Sequence, residues 1–496
     1  MKFLSTRNKL AVVTGAEAIV TGLARDGGLF VPESFPCVST AEFEAMESMD
    51  YDEIATLVIG KYLPQLQGIL PEITLKAYSR FDGEPAPLVK IDQNLAVLEL
   101  WHGPTHAFKD VALTLLPYLL TESKKVVGND KRTLILVATS GDTGKAALEG
   151  FRDANGTDVI VFYPDEGVSN LQKLQMMTQK GENVSVCAIK GNFDDAQSAV
   201  KNIFTDEKMR KALEDSGYEF SSANSMNWGR LVPQIAYYFS SYTDLVTAGE
   251  IERGEKVNFV VPTGNFGNIL AGYYAKKMGL PVGKLICASN QNNVLTQFIQ
   301  TGEYSLDREF YKTTSPSMDI LVSSNLERLL FELSGRNDKL TAERMAKLKK
   351  DGRYELTDAE LTALKEEFYA EYATEDEVEE TLAWYFDEYG YIVDTHTAVA
   401  LNAFDKYVSD TDDQTMTVVL STASPYKFVG DVLKYIGETA GKNEIASLKK
   451  LESVTALPLP GSLLELPTLP VRFRQVVDKT QSANVVIDYI NTRTRS

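Results

Sequence analysis

The stretch LWHGPTHAFKD at residues 100–110 gathers two histidines, a glycine, a proline and a lysine just before an apolar run. Downstream, Val111, Leu115 and Leu119 share one face of a helical pattern, which places Lys109 in its first turn. Cations are favoured at the opposite end of a helix, so a lysine here is unusual. Where apolar neighbours exclude water, the charged form of a lysine is disfavoured and its amine becomes a nucleophile for carbonyl carbons. The pattern indicates a Schiff-base lysine, although an ordinary solvated lysine remains the alternative.

The histidines of this stretch do not predict a metal site. His102 and His106 are four residues apart, but Gly103 and Pro104 between them argue against a helix that would present both on one face. There is no HExxH pattern, and the third histidine of the chain, His396, is remote in sequence. We therefore expect hydrogen-bonding or packing roles rather than metal ligation.

Two glycine-rich turns, ATSGDTGKAA at residues 138–147 and PTGNFGNILAG at residues 262–272, each follow an apolar run and precede a helical pattern. Free N–H groups and the helix dipole favour an anion at such a turn, and open α/β sheets bind ligands at the carboxyl ends of their strands. Neither turn matches GxxxxGK[ST] or GxGxxG, so the ligand is not identified. A structural turn without a ligand explains either one alone, because glycine suits any tight connection.

The elements that must position these residues follow a βα rhythm after about residue 95. Continuous apolar runs alternate with helical sequence, which predicts parallel sheets covered on both faces. We expect an α/β fold with two open, mostly parallel twisted sheets flanked by helices, an N-terminal subdomain and a helical insertion. The strand candidates are LAVLEL, KRTLILVAT, TDVIVFYP, ENVSVCAIKG, KVNFVVP, KLICASN and TMTVVL.

Three regions divide the chain. Residues 1–95 read as an N-terminal subdomain, residues 96–230 as an α/β domain with Lys109 and the SGDTG turn, and residues 231–496 as an α/β domain with the second glycine-rich turn. Within the third region, residues from about 335 to 390 are highly charged and helically periodic. Such a segment is usually a solvated face, so we expect a helical insertion on the surface.

Composition excludes several classes of protein. A chain of 496 residues, 44% of them hydrophobic, can bury more than one core. Its formal net charge of −19 disfavours nucleic-acid binding, so any anion site must be built locally. Three separated cysteines support neither disulfides nor zinc, and no run is long enough to span a membrane. Since the start lacks a signal-peptide pattern, we expect a soluble cytoplasmic protein without a membrane partner.

The motif WHGPTHAFKD resembles the cofactor-lysine motif of the threonine synthase family, pyridoxal-phosphate enzymes of the tryptophan-synthase-β-like fold, fold type II. The resemblance covers most of the chain, because further motifs occur in the family's order: STR, GLARDGGLFVPE, ATSGDTG, NSMNWGR, PTGNFGN, SSNLERLL and STASPYKF. Some positions depart from the family's pattern: Asn8, His106, Pro117, Ser424 and Tyr426.

The resemblance implies where pyridoxal phosphate would be held. Lys109 would be the catalytic residue and carry the cofactor covalently, Asp142 would lie near the phenolic oxygen of its ring, and Thr422 would hydrogen-bond its pyridine nitrogen. The phosphate of the cofactor would be wrapped by Gly264, Asn265, Phe266, Gly267 and Asn268.

The resemblance also implies the substrate and the reaction, which is the conversion of O-phospho-L-homoserine and water to L-threonine and phosphate, the last step of threonine biosynthesis. Ser140 and Thr143 would bind the α-carboxylate, and the leaving phosphate would be bound by Ser225, Asn227 and Arg230. The alternatives are a related dehydratase or phospholyase on the same fold, and a non-catalytic ligand-binding relative. The sequence leaves the oligomeric state open between monomer and homodimer.

Overall fold

The computed structural model of the 496-residue chain describes residues 1–139, 141–165, 168 and 170–495. The strands of the described part are β1 Lys2–Ser5, β2 Asn8–Thr14, β3 Phe30–Pro32, β4 Leu88–Asp92, β5 Leu95–Glu99, β6 Arg132–Ala138, β7 Thr157–Pro164, β8 Val184–Ile189, β9 Tyr218–Ser221, β10 Val257–Pro262, β11 Val282–Ser289, β12 Glu303–Ser305, β13 Arg353–Glu355, β14 Phe368–Tyr372, β15 Thr417–Ser421 and β16 Val476–Val477.

The helices of the same residues connect and cover these strands. They are α1 Gly15–Thr21, α2 Thr40–Met46, α3 Tyr51–Tyr62, α4 Leu70–Tyr78, α5 Lys109–Leu113, α6 Leu116–Val127, α7 Asp142–Gly150, α8 Asn170–Met177, α9 Phe193–Thr205, α10 Glu207–Asp215, α11 Trp228–Thr247, α12 Gly267–Lys277, α13 Val294–Thr301, α14 Leu326–Leu333, α15 Asp338–Asp351, α16 Asp358–Glu367, α17 Glu375–Tyr389, α18 Thr395–Thr411, α19 Val429–Tyr435, α20 Glu444–Thr455, α21 Gly461–Glu465 and α22 Ser482–Arg495. Short 3-10 helices occur at Pro64–Leu66, Pro316–Met318, Pro425–Phe428, Leu466–Thr468 and Lys479–Gln481.

Two parallel-dominated sheets form the centre of the fold. One has the strand order β14-β11-β10-β15-β5-β4, and only the edge pair of β4 and β5 is antiparallel. The other has the order β16-β8-β7-β6-β9 and is parallel throughout. Strands β5, β7, β10 and β15 are buried along their whole length, because helices cover both faces of these sheets. The predicted fold class is confirmed.

The N-terminal residues form a small antiparallel sheet of order β2-β1-β3, with α1 between β2 and β3 and with α2 to α4 after the sheet. This unit packs on α11 through aromatic side chains. The ring of Trp228, at the start of α11, lies 4.9 Å from that of Phe3 and 5.2 Å from that of Tyr62. Since α11 also packs against α5, the N-terminal unit supports the helix that begins with Lys109.

Two features differ from the sequence expectations. The charged segment at about 335–390 is mostly helical, but it also contributes β13 and the strand β14, which pairs with β11 at the edge of the six-stranded sheet. The helical run after Phe108 is divided in two, and Pro117 stands in the first turn of α6, where its missing N–H needs no partner. The boundaries of the three predicted regions stay a prediction. Strand β5 lies in the sheet formed mainly by the third region.

Within the part of the chain that the structure describes, each helix is too short or too polar to cross a lipid bilayer. No group of three or more histidine, cysteine, aspartate or glutamate side chains among these residues is arranged to hold a metal ion.

Candidate active site

The turn before α5 is fixed by hydrogen bonds inside LWHGPTHAFKD. Asp110 accepts hydrogen bonds from the backbone N–H and the hydroxyl of Thr105 at 2.7 and 2.6 Å. A Cβ at Gly103 would lie 2.5 Å from the Cβ of Asp110, so glycine alone permits this approach. The N–H of Phe108 donates to the carbonyl oxygen of Thr422 at 2.9 Å. The turn that precedes the first residue of α5 is therefore hydrogen-bonded to the residue that follows β15.

That first residue is Lys109, which the sequence predicts in the first turn of a helix, and its side chain is largely buried. The side chain is 12% exposed, with Nζ 3.9 Å from Oδ2 of Asp142 and 3.4 Å from Oγ of Ser317. Burial lowers the pKa of this amine, Asp142 opposes the shift, and the positive charges of Lys427 and Arg230 add to it. More neutral amine is present at a given pH than in a solvated lysine, which favours attack on a carbonyl carbon.

A second buried lysine, Lys427, lies in the same site. Its Nζ is 2.7 Å from Oδ1 of Asp142 and donates to the carbonyl oxygen of Thr105 at 2.8 Å. Burial alone would raise the pKa of Asp142, but Lys427 and then Lys109 outweigh burial and hold the pKa below its usual range. Asp142 is therefore an ionised carboxylate between two lysines, at the start of α7.

The second glycine-rich turn connects β10 to α12 by way of residues 263–266. Phe266 has a left-handed φ of 62°, and α12 begins at Gly267. The first N–H groups of a helix have no partner within it, so the start of α12 presents donors for an anion. A Cβ at Gly264 would lie 2.6 Å from the carbonyl oxygen of Ser317, which shows how closely the two backbones approach.

Asn268, in the first turn of α12, carries a buried donor that is not used. Its Oδ1 accepts hydrogen bonds from the hydroxyls of Tyr237 and Tyr238, which fixes the direction of the amide. Among the described residues, Nδ2 of this side chain has no hydrogen-bond partner. A buried amide nitrogen without a partner costs stability unless a ligand accepts from it.

The SSNLERLL segment supports this turn from the other side. The hydroxyl of Ser323 donates to the carbonyl oxygen of Gly264 at 2.9 Å, and the N–H of Asn325 donates to that of Asn265 at 3.1 Å. The fully buried Arg328 donates to Oδ1 of Asn325 and to two backbone carbonyl groups. Because the carbonyl oxygens of Gly264 and Asn265 accept hydrogen bonds from this segment, the protein itself fixes the backbone of the turn.

Arg230 lies in the first turn of α11 and is 4% exposed. One of its terminal nitrogens donates to the carbonyl oxygen of Ala223, while Nε has no hydrogen-bond partner among the described residues. Burial lowers the pKa of the guanidinium to about 10, so it stays charged at neutral pH. A buried cation with an unused donor fits an anionic ligand, and guanidinium groups bind phosphate through two parallel hydrogen bonds.

The two other residues predicted for the leaving phosphate have different surroundings. Ser225 is half-buried, and its Oγ accepts a hydrogen bond from Nδ2 of Asn325 at 3.3 Å, which links it to the turn at residues 264–268. Asn227 caps α11 by accepting from the N–H of Gly229, and its amide nitrogen donates to the carbonyl oxygen of Ile19. Both ends of the Asn227 amide are thus in use, so its contact with a substrate stays a prediction.

The remaining predicted residues are Ser140, Thr143 and Thr422. Thr422 follows β15 and is 6% exposed, while Thr143 is half-buried in the first turn of α7. Ser140 lies outside the described residues. The structure therefore places Lys109 beside Asp142 directly and beside the turn at residues 264–268 through Ser317, whereas among the described residues no hydrogen bond or ion pair joins Thr143 to this group.

The histidines have the hydrogen-bonding roles that the sequence predicts. Nε2 of His102 lies 2.7 Å from Oε2 of Glu99. Nε2 of His106, a departure from the family's pattern, lies 2.7 Å from Oγ of Ser462 in α21, and its backbone has a φ of 61°. This departure therefore joins the turn before Lys109 to the C-terminal part of the chain.

Comparison with known proteins agrees with this geometry. Residues 2–78 match the family model described as threonine synthase N terminus, residues 81–422 match that of pyridoxal-phosphate dependent enzymes, and residues 397–490 match that of the threonine synthase C-terminal part. The chain belongs to the threonine synthase family. The resemblance seen in its motifs and the cofactor it implies, pyridoxal phosphate, are thereby confirmed.

Relatives of the family differ in how much of their length this chain spans. It is 39% identical over 434 residues to the threonine synthase of Pseudomonas aeruginosa, covering 86% of this chain and 89% of that protein. It is 39% identical over 492 residues to Threonine synthase-like 1 of Homo sapiens, covering 93% of this chain but 65% of that protein, slightly less than two thirds. The crystal structure of PLP-bound threonine synthase from Brucella melitensis matches with a TM-score of 0.88 and 36% identity, covering 100% of both chains.

The residues present in this threonine synthase family member fit pyridoxal phosphate. The lowered pKa of the Lys109 amine favours attack on an aldehyde, and the carboxylate of Asp142 lies beside that amine. The unused amide donor of Asn268 and the start of α12 suit a phosphate.

Some residues of the site were not singled out by the sequence. Lys427 and Arg328 lie inside quoted motifs, so the motifs STASPYKF and SSNLERLL were the available signal. Ser317 lies in a loop without a motif or a periodic pattern, and only the folded chain brings it to Lys109.

Proposed function

We propose that this chain converts O-phospho-L-homoserine and water to L-threonine and phosphate. The observation that carries the proposal is the buried guanidinium of Arg230, whose Nε has no hydrogen-bond partner within the described part of the chain and whose charge acts on the nearby Lys109 amine. A substrate with a phosphate leaving group would use this cation, whereas a hydroxyl leaving group would not need it.

Lys109 would carry pyridoxal phosphate, with Asp142, Thr422 and residues 264–268 as its other binding groups. When bound, the cofactor withdraws electrons from the substrate's Cα and so makes its proton acidic. The reaction removes one proton each from Cα and Cβ, breaks the Cγ–O bond and adds the hydroxyl of water at Cβ. Protons return to Cγ and Cα, and the proton of the water leaves with phosphate.

The chain's own groups account for these proton movements and for binding. Nζ of Lys109, with its lowered pKa, accepts a proton and returns it as a general base and acid. Arg230 and Ser225 hold the phosphate as its charge develops, and Ser140 and Thr143 orient the α-carboxylate. Asp142 remains ionised beside the amine because Lys427 pairs with it.

The first test identifies the lysine. Purified holoenzyme is reduced with borohydride and digested, and we expect the label on Lys109. The variant Lys109→Ala should lose turnover and the label together. A label on another lysine, or full activity in this variant, would contradict the assignment.

The second test identifies the reaction by its products. With O-phospho-L-homoserine, we expect threonine and phosphate in equal amounts. A related lyase that does not add water at Cβ would instead release phosphate and, after hydrolysis of the product imine by water, ammonia and a 2-oxo acid; a binding protein would release no phosphate.

The third test concerns Arg230. The variant Arg230→Lys keeps the charge but loses the two-pronged donor, so kcat/KM should fall about tenfold or more. The control Arg132→Lys changes an arginine at the amino end of β6 that pairs with Asp158, and it should leave kcat/KM unchanged. Equal effects of the two substitutions would exclude a phosphate-binding role for Arg230.

A further inference from the structure

The loop at residues 313–319 lies between Lys109 and the turn at residues 264–268, which is called the cofactor-phosphate turn below. It is fixed by polar contacts with the end of β11. Oδ1 of Asp319 accepts hydrogen bonds from the hydroxyl of Thr313 at 2.7 Å and from Nδ2 of Asn290 at 2.8 Å. Nδ2 of Asn292 donates to the same oxygen at 2.9 Å. Ser317 is an exposed residue of this otherwise anchored loop.

Three groups of Ser317 face three parts of the site. Its Oγ lies 3.4 Å from Nζ of Lys109, in position to accept a hydrogen bond. Its carbonyl oxygen approaches Gly264 so closely that a Cβ there would be 2.6 Å away. Its N–H donates to Nε2 of His396 at 3.1 Å. One residue therefore joins the lysine, the cofactor-phosphate turn and a buried histidine.

The ring of His396 is held on several sides and is 2% exposed. Nδ1 lies 2.8 Å from Oδ1 of Asp394, the residue that caps α18, and the ring of Phe428 packs at 4.8 Å. Because Nε2 accepts the N–H of Ser317, the ring proton resides on Nδ1 and points to the carboxylate. These hydrogen bonds hold the imidazole in one orientation, with Nε2 as the acceptor for Ser317.

We propose that Ser317 is a further catalytic residue, whose hydroxyl accepts an N–H of the Lys109 amine, and that His396 is the positioning residue for Ser317. This inference rests on the proposed assignment of Lys109 as the cofactor lysine. With an N–H directed to Ser317, the lone pair of the amine is oriented rather than free to rotate. The amine then meets the aldehyde, and later the substrate, in one geometry.

Non-catalytic packing of α18 against the loop is the competing interpretation of the same contacts. It predicts that changes at His396 alter stability alone. The proposed role predicts a change in how fast the Lys109 amine captures the cofactor aldehyde, a reaction that needs no substrate.

The experiment measures the rate at which the cofactor-free enzyme regains the visible absorbance of lysine-bound pyridoxal phosphate. In Ser317→Ala the rate should fall about three- to tenfold, the effect of one lost hydrogen bond. Ser317→Thr keeps a hydroxyl and should stay within about twofold of the original rate. Urea unfolding of each variant shows whether its fold is retained.

Two substitutions at His396 form a matched pair. His396→Gln keeps an acceptor near the position of Nε2 and should retain the rate. His396→Asn keeps a donor for Asp394 but cannot reach the N–H of Ser317, so it should slow capture as Ser317→Ala does. Combining His396→Asn with Ser317→Ala should cause no further loss, because the histidine acts on the amine only through the Ser317 hydroxyl, which the alanine has already removed.

The outcomes separate the inference from the assignment on which it rests. An unchanged capture rate in Ser317→Ala would overturn the role of this pair. So would a double variant whose capture rate falls by the product of the two single effects. If the histidine variants do not fold, the comparison of Ser317→Ala with Ser317→Thr decides alone. A borohydride label on a lysine other than Lys109 would instead overturn the assignment of the cofactor lysine.

Discussion

Replacing Lys427 with methionine tests the electrostatics of the site most directly. The side chains of Lys427 and Asp142 are 1% and 5% exposed, and their charged atoms lie 2.7 Å apart. In Lys427→Met the carboxylate stays buried and loses its nearest cation. Breaking a buried ion pair from one side costs about 3–5 kcal/mol in free energy of unfolding. That is a large part of the roughly 5–15 kcal/mol that stabilises a typical protein.

The same substitution should make Lys109 less reactive. Lys427 lowers the pKa of Lys109, and without it Asp142 has only Lys109 as a cation within 4 Å among the described residues. Both effects raise the pKa of Lys109, so less neutral amine is present at a given pH. We expect the pH at which pyridoxal phosphate capture is half-maximal to move upward.

Urea unfolding and the pH profile of cofactor capture measure the two effects. The control is Lys434→Met, which breaks an ion pair with Glu379 whose side chains are 68% and 45% exposed. Lys434→Met should lower the free energy of unfolding by less than about 1 kcal/mol and leave the pH profile of cofactor capture unchanged. Adding Asp142→Asn to Lys427→Met removes the stranded charge and should recover part of the stability. An unfolding midpoint of Lys427→Met equal to that of the control would refute this account of the site.

Three further predictions concern positions around the lysine. Burial lowers the pKa of His106 to about 3, from about 6.5 in the unfolded chain. Between pH 6.5 and pH 3 the unfolded state therefore binds more protons than the folded state, so the free energy of unfolding falls as the pH drops through this range. His106→Asn, which tolerates the positive φ, should therefore remove about 2 kcal/mol of the loss between pH 8 and pH 5 in urea unfolding. Gly264→Ala should weaken pyridoxal phosphate binding in equilibrium titration because its Cβ meets Ser317, whereas Gly430→Ala, with open space around it on a helix, should bind normally. Arg328→Leu leaves buried carbonyl oxygens without donors and should lower the free energy of unfolding by about 3 kcal/mol or more, measured by urea unfolding; a loss below about 1 kcal/mol would contradict its role.

The sequence predicts the parts of the site that depend on local order. Continuous apolar runs that alternate with helical sequence favour buried strands, and the second glycine-rich turn indeed joins the end of β10 to the start of α12. Likewise, the apolar face after Phe108 put Lys109 in the first turn of a helix. These features follow from neighbours within about ten residues, which a periodic pattern records.

The parts that were missed depend on contacts between distant residues. Ser317 is 208 positions from Lys109, and nothing in its own neighbourhood marks it. Strand β14 was hidden for a related reason: it is a short edge strand with only alternate residues buried, inside a segment whose charge dominates its pattern. Pairing across such distances is decided by the sheet order, which local propensity does not encode.

The local charges of the site explain how an acidic protein can bind phosphate groups. The chain carries a formal net charge of −19, yet Lys427 and Lys109 flank Asp142, and the charge of Arg230 acts on Lys109. Charges on the surface are screened over about 8 Å at physiological ionic strength, whereas buried charges act at close range in a less polar medium. The contribution of the buried cations to phosphate binding therefore exceeds that of the average field. A substitution that removes one of them should weaken binding far more than the removal of one surface lysine.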